Sequence, residues 1–245
     1  MIGRTMPIAM LHHVSNKASW YSLRPYVIRE DTFTRFLDAI QFMGRHTTNF
    51  RRLHEGVPPT RRDVILTFDD CGKHLLDFAV PELVQRKMTA VFYMPTADIG
   101  GHNSWNVANG KSKVELMNEA DLRDLETAGM EVGSHSHDHI HLDREDEEHV
   151  QYQLQKSQEI LTDVLGRPAV SMAYPYGGIP HSFNDLSEFG YHHACSIFSE
   201  RPSSWSRRRF IVHDDDSNWS LRCKLHRTYG LYRSWSDSRS GQTAS

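Results

Sequence analysis

Cysteine is scarce in this chain: Cys71, Cys195 and Cys223 are the three among 245 residues, odd in number and irregularly spaced. Such a set builds no disulfide framework, and without a Cys-x-x-Cys pair it makes no zinc knuckle, so a reducing compartment is the expectation. Long hydrophobic runs are missing too. Behind Met1-Ile2-Gly3-Arg4 only Pro7 to Leu11 is apolar before His12 and His13 interrupt, which is too short for the core of a signal peptide. No stretch approaches the roughly 18 apolar residues that cross a bilayer. The expectation is a soluble, cytoplasmic protein with no membrane span. A large excess of one charge is absent as well. The formal net charge is −3, so nothing global favours nucleic acid or an anionic membrane as a partner. The sharpest basic cluster, Arg207-Arg208-Arg209, reads as the solvated approach to a strand.

What is present is an alternation. Hydrophobic residues make up 38 % of the chain, enough for one packed core. Strand-like runs fall at 7–11, 63–68, 89–94, 130–134 and 169–173, with weaker ones at 191–197 and 209–213. Between them lie helical patterns at 31–42 (with Asp31 as N-cap), 78–87, 119–128 and 145–165. Strand–helix repeats of this kind predict a parallel sheet, and six or seven of them predict a closed or nearly closed barrel in a single domain. Residues 100–113 read as an irregular loop. Residues 1–233 read as the folded unit, and the polar 234–245 as a disordered tail.

Chemistry-bearing residues gather in three places, each just after a strand-like run, where a parallel barrel collects its functional groups. The first is Thr67-Phe68-Asp69-Asp70. Paired carboxylates supply a hard metal ligand and a nearby base; a helix N-cap with a first-turn acid would look the same. The second is Gly133-Ser134-His135-Ser136-His137-Asp138-His139-Ile140-His141. His135 with His139, or His137 with His141, is spaced to share an ion, and a His-rich polar loop is the bland alternative. Asp70 with two histidines makes a two-His, one-carboxylate set that leaves positions open for water and substrate. The third is Ala173-Tyr174-Pro175-Tyr176-Gly177-Gly178. Here Pro175 and Gly177 set a rigid turn whose N–H groups can face a ligand, or simply a strand-to-helix turn.

Taken in order, Thr-Phe-Asp-Asp, Gly-Ser-His-Ser-x-x-His and Tyr-Pro-Tyr-Gly resemble the polysaccharide deacetylases, carbohydrate esterase family four, with Met10-Leu11-His12-His13-Val14 similar to the family's opening strand. The resemblance runs from about Pro7 to Tyr232. It implies a distorted (β/α)7 barrel-like α/β fold and removal of acetyl groups from an N-acetylated carbohydrate. It also implies Asp69 as general base and Asp70, His135 and His139 as ligands of a divalent metal ion, zinc above all. The Tyr176 N–H would join the oxyanion site beside Pro175.

Two family features are displaced. The arginine that orients the base would stand at Ala173, so Arg208 or Arg209 is the expected substitute. The general-acid histidine is expected at His213, which follows Phe210-Ile211-Val212, with His12 at the barrel mouth as second candidate and substrate contact. Cys71, where the family has glycine, reads as a small buried residue. A non-catalytic glycan-binding protein on the same fold, or a hydrolase of another acyl amide or ester, are the alternative readings. With no export signal read, a soluble nucleotide-linked or lipid-linked sugar is the expected substrate. The sequence carries no signal for oligomeric state.

Overall fold

The computed structural model describes residues 6–183, 185–197 and 203–226. Its strands are β1 (Ile8–Leu11), β2 (His13–Val14), β3 (Val27–Ile28), β4 (His46–Thr48), β5 (Asp63–Asp69), β6 (Val91–Met94), β7 (Glu131–Ser134), β8 (Ser171–Ala173), β9 (His193–Ser196), β10 (Arg207–Arg208) and β11 (Phe210–Ile211). The α-helices are α1 (Glu30–Phe42), α2 (Phe50–His54), α3 (Ala79–Gln85), α4 (Ser104–Ala108), α5 (Glu119–Thr127), α6 (Glu147–Leu165) and α7 (Asn218–Leu225).

Strands pair in the order β10-β9-β8-β7-β6-β5-β1-β11, with β4 also on β5, and every pairing is parallel. The two ends of that path, β10 and β11, are separated in sequence by Arg209 alone. One short stretch therefore pairs with β9 on one side and β1 on the other, closing eight parallel strands into a nearly complete barrel. Arg209 N–H donates to the Ser196 carbonyl at 3.1 Å across that join.

The period of two in the strands sorts residues between two cores. Val64, Leu66 and Phe68 of β5 join Phe92, Val132 and Met172 in the layer beneath the helices. Ile65 instead joins Ile8, Val91, Tyr93, Ala173 and Cys195 inside the barrel, where Phe50 and Leu53 of α2 also pack. Continuing the alternation from Ile65 through Thr67 places Asp69 inward at the carboxyl end of β5. Gly133 keeps the ring tight. A Cβ there would come within 2.7 Å of the Ser171 carbonyl and the Tyr93 ring.

The helices end where local chemistry stops them. Asn118 and Asp121 form a reciprocal capping box on α5. Asp146 caps α6, which ends at Gly166 with φ +71°. Four expectations need correcting. The cap position of α1 is Arg29 and Asp31 lies in the first turn, where it pairs with Arg29. The 100–113 segment contains α4. The 209–213 strand is shifted and split, because Arg209 turns inward between β10 and β11. Finally, Arg207 and Arg209 are 4 % and 2 % exposed, so the basic run is largely buried. The expected tail at 234–245 lies outside the described residues. No helix among the described residues is long and apolar enough to cross a membrane.

Glu131 opens β7 inside the barrel, accepting from Ser171 Oγ at 2.5 Å and from Arg51 N–H at 2.8 Å. Burial pushes its carboxyl up to about 7, against the opposing pull of these donors. A folded-state value above the unfolded one favours the protonated form, so this stabilisation is complete below the ordinary carboxyl range and is lost as pH rises to about 7. Glu131→Gln should therefore melt progressively higher than the parent protein between pH 5 and pH 8, as read by paired thermal melts. A difference that does not change with pH would contradict the assignment.

Candidate active site

At the carboxyl ends of β5, β7 and β8 the chain leaves regular geometry. Asp70 (φ +73°), Cys71 (+50°), Ser136 (+61°), His139 (+54°) and Tyr176 (+58°) are five of the six described non-glycine residues with positive φ; the sixth is Lys87. Left-handed backbone is costly for such side chains and concentrates where surrounding structure over-determines it. Here it concentrates on all three motifs.

Asp69 accepts from Arg209 in a two-pronged pair, Nη1 to Oδ1 at 2.6 Å and Nη2 to Oδ2 at 2.8 Å. Arg209 Nη1 also donates to Thr67 Oγ1 at 3.1 Å, and Thr67 Oγ1 donates to the Ala9 carbonyl at 2.7 Å. Burial alone would raise the Asp69 carboxyl, but the Arg209 guanidinium and the neighbouring imidazoles overcome it and hold the group below the usual carboxylate range. Asp69 is therefore an ionised carboxylate at the barrel mouth. Ala173, where the family arginine would stand, lies inside the barrel with Tyr93 and Cys195. The Arg209 guanidinium passes 5.8 Å from the Tyr93 ring centre. Arg209 rather than Arg208 thus reaches Asp69.

Asp70, His135 and His139 are buried together, with one candidate ligand atom from each lying within 4.8 Å of the others. Asp70 Oδ1 is 3.3 Å from His139 Nε2 and 3.6 Å from His135 Nε2. His135 Nδ1–H donates to the Ala173 carbonyl at 2.7 Å, which leaves the Nε2 lone pair facing Asp70. Burial pushes His135 down to about 4, so near neutral pH its ring carries no charge to offset that carboxylate. Among the described residues, buried Asp70 Oδ1 has no donor in hydrogen-bond geometry, its nearest imidazole nitrogen being His139 Nε2 at 3.3 Å. Lone pairs converging on one another in a buried site fit a cation, and two imidazoles with one carboxylate suit a divalent metal with open positions.

The remaining expected residues surround this centre. His12 Nε2 lies 3.9 Å from Asp69 Oδ2, and its ring packs on Tyr26 at 4.8 Å. His213 is exposed; with His12, Tyr26 and Ile211 it lines a neighbouring cavity of about 220 Å3. Pro175 is buried, while Tyr176 is 41 % exposed at the mouth. His141 stacks on Tyr176 at 3.9 Å. His137 turns away from the centre to hydrogen-bond Thr96 Oγ1 at 2.9 Å, which resolves the two possible histidine pairs in favour of His135 and His139. Cys71 is buried in the helix-side core, and burial next to two carboxylates pushes its thiol well up. Trp105, stacked on His139 at 4.0 Å, went unforeseen because its segment has no helical period.

A family model described as polysaccharide deacetylase matches residues 56–194, more than half of the chain. The chain belongs to the polysaccharide deacetylase family. Membership makes it a carbohydrate N-deacetylase, a hydrolase. No curated protein matches the sequence. Among solved structures, the deacetylase PplD from Streptococcus pyogenes, in complex with acetate, is 18 % identical with a TM-score of 0.75, covering 91 % of this chain and 98 % of its own. IcaB from Ammonifex degensii is 19 % identical with a TM-score of 0.75, covering 91 % and 97 %. A de-N-acetylase from Aggregatibacter actinomycetemcomitans is 14 % identical with a TM-score of 0.69, covering 89 % and 99 %. At such identities these three likenesses establish the shared fold. The polysaccharide deacetylase barrel is thus present over nearly the whole chain.

Removing Arg209 from this family's barrel would strand a buried carboxylate. Arg209→Met should cost about 3–5 kcal/mol of unfolding free energy, measured by denaturant titration. Asp69→Asn added to it should recover a substantial part. A single-variant loss under about 1 kcal/mol, the size of an exposed pair, would mean that Asp69 finds another partner.

Proposed function

We propose that this deacetylase hydrolyses the acetamide of an N-acetylhexosamine unit at a zinc centre, with Asp69 as general base. The observation that carries the reading is an ionised, Arg209-clamped carboxylate beside a buried Asp70–His135–His139 cluster. Asp70, His135 and His139 would hold the ion, which when bound supplies Lewis acidity towards the acetamide carbonyl and makes water a better nucleophile.

The chain's own groups account for the proton movements. Arg209 takes one lone-pair direction on each oxygen of Asp69 and leaves others free. Oδ2, which faces His12 and His135, accepts the proton of the attacking water. As the carbon–nitrogen bond breaks, the departing amine needs a proton, and His12 is the donor favoured by its 3.9 Å separation from Asp69 Oδ2. His213, across the adjoining cavity, is assigned to the substrate side. The Tyr176 N–H, offered by a left-handed residue, is assigned to the developing oxyanion. Acetate and a free amino sugar leave. A soluble oligosaccharide or a carrier-linked sugar is the substrate assigned to this site.

The test is acetate release from N-acetylglucosamine oligomers and from simple acetyl esters, using protein stripped of metal and reloaded with zinc. Release should vanish on stripping and return with zinc, and Asp69→Asn should lower kcat by about 10²–10⁴-fold. Zinc-independent release, or full activity in Asp69→Asn, would overturn the reading. His12→Gln and His213→Gln separate the two acid candidates. The first should reduce kcat by a similar factor, and the second should mainly raise KM. The reverse pattern would move the acid to His213.

A further inference from the structure

The two imidazoles of the centre are held by different means. His135 is oriented by its hydrogen bond to the Ala173 carbonyl, the usual way a metal-binding histidine is fixed in ring plane and tautomer. His139 lacks this device. Its Nδ1 is buried and meets no hydrogen-bond partner among the described residues. The torsion that turns an imidazole about its Cβ–Cγ bond has broad minima, so the rotamer alone leaves the ring plane loosely set.

What His139 has instead is aromatic contact. Trp105 stacks on its face, with centroids 4.0 Å apart and planes at 11°. Tyr176 meets it edge-on at 4.9 Å and 79°, and His141 stacks on Tyr176 in turn at 3.9 Å. The four rings form a row with the metal-site histidine inside it. Trp105 is itself anchored. Its helix α4 lies in the 99–117 excursion, where the buried Asn103 side chain donates to the Ser112 carbonyl at 3.0 Å and accepts from Val114 N–H at 2.8 Å. The foot of the excursion is sewn to the residues that follow Asp70. Met117 N–H donates to the Cys71 carbonyl at 3.0 Å, and Lys73 N–H to the Glu115 carbonyl at 2.8 Å. One segment thus rests on the Asp70 turn at its base and on His139 near its tip.

We propose that Trp105 is a positioning residue of the metal centre, its stacked indole setting for His139 the ring plane that a hydrogen bond sets for His135. The proposal rests on the reading that Asp70, His135 and His139 hold a divalent ion. It extends that reading to a residue on a separate segment, helix α4.

The test uses zinc alone as probe. The metal-free 245-residue chain and its Trp105→Phe and Trp105→Leu variants are titrated in competition with a chromophoric chelator. The visible absorption of the cobalt-loaded forms is recorded alongside. Both substitutions shrink the side chain and keep it apolar, but only phenylalanine retains a flat ring to stack. Trp105→Phe should bind zinc within about threefold of the parent, while Trp105→Leu should bind on the order of tenfold more weakly and alter the cobalt spectrum. Equal melting temperatures of the two metal-free variants show that such a difference is not one of folding. Equal zinc affinity and equal cobalt spectra in the two variants would overturn the role of Trp105 while leaving the metal site standing. Failure of the parent chain itself to bind zinc would overturn the site, and this proposal with it.

Discussion

The pairing of Asp69 with Arg209 is the constraint around which the rest of the molecule is arranged. Burying two charges costs several kcal/mol each in lost hydration. That cost is offset only when geometry is nearly ideal, and here the two Nη atoms of the guanidinium meet the two carboxylate oxygens. To reach that geometry, Asp69 must finish β5 on an inward position and Arg209 must turn inward between β10 and β11. The same turn splits the last strand into two short pieces that grip β9 and β1. An electrostatic requirement and the closure of the sheet are met by one residue.

The fold was legible because parallel strands buried on both faces read as short continuous apolar runs, as Val64 to Phe68 do. Seven such runs with helical patterns between them leave little choice of architecture. Boundaries set by tertiary contacts were less visible. The short β4 and α2 carry too few residues for a period, and α4 is five residues without an apolar stripe. Within the site, spacing and place after strands marked the two acids and two possible histidine pairs, and the family resemblance supplied the choice of His135 and His139. The substitute for the arginine missing at Ala173 was narrowed to two adjacent residues, but which one turns inward depends on where the strand breaks, and local pattern does not encode that. The basic run was misjudged as solvated for a related reason. Charge runs usually face water, but here Asp69 holds Arg209 inside, and Arg207 lies over the Phe50 ring with Nη2 3.3 Å from His193 Nδ1. Trp105 was invisible because stacking on His139 joins residues 34 positions apart with no shared motif.

The site is also notable for how little of its precision comes from regular structure. Five left-handed residues sit on three separate loops, each a conformation that an isolated peptide would rarely hold. They persist because each loop is tied to a neighbour: Cys71 to Met117, Ala97 to His137, and Gly177 to Ser196 through its hydroxyl. Such mutual fastening favours a centre organised before any ligand arrives, which is where electrostatic stabilisation of a transition state is most effective.

Closure through Arg209 also has a bearing on the order of events during synthesis. Both carboxylates and both imidazoles of the centre have left the ribosome well before residue 209 is made. Until the final strand docks between β9 and β1, Asp69 lacks its guanidinium and the barrel has an open seam. In a nascent chain the residues of the centre are thus all present while the ion pair and the seam that fix Asp69 in place are still to form.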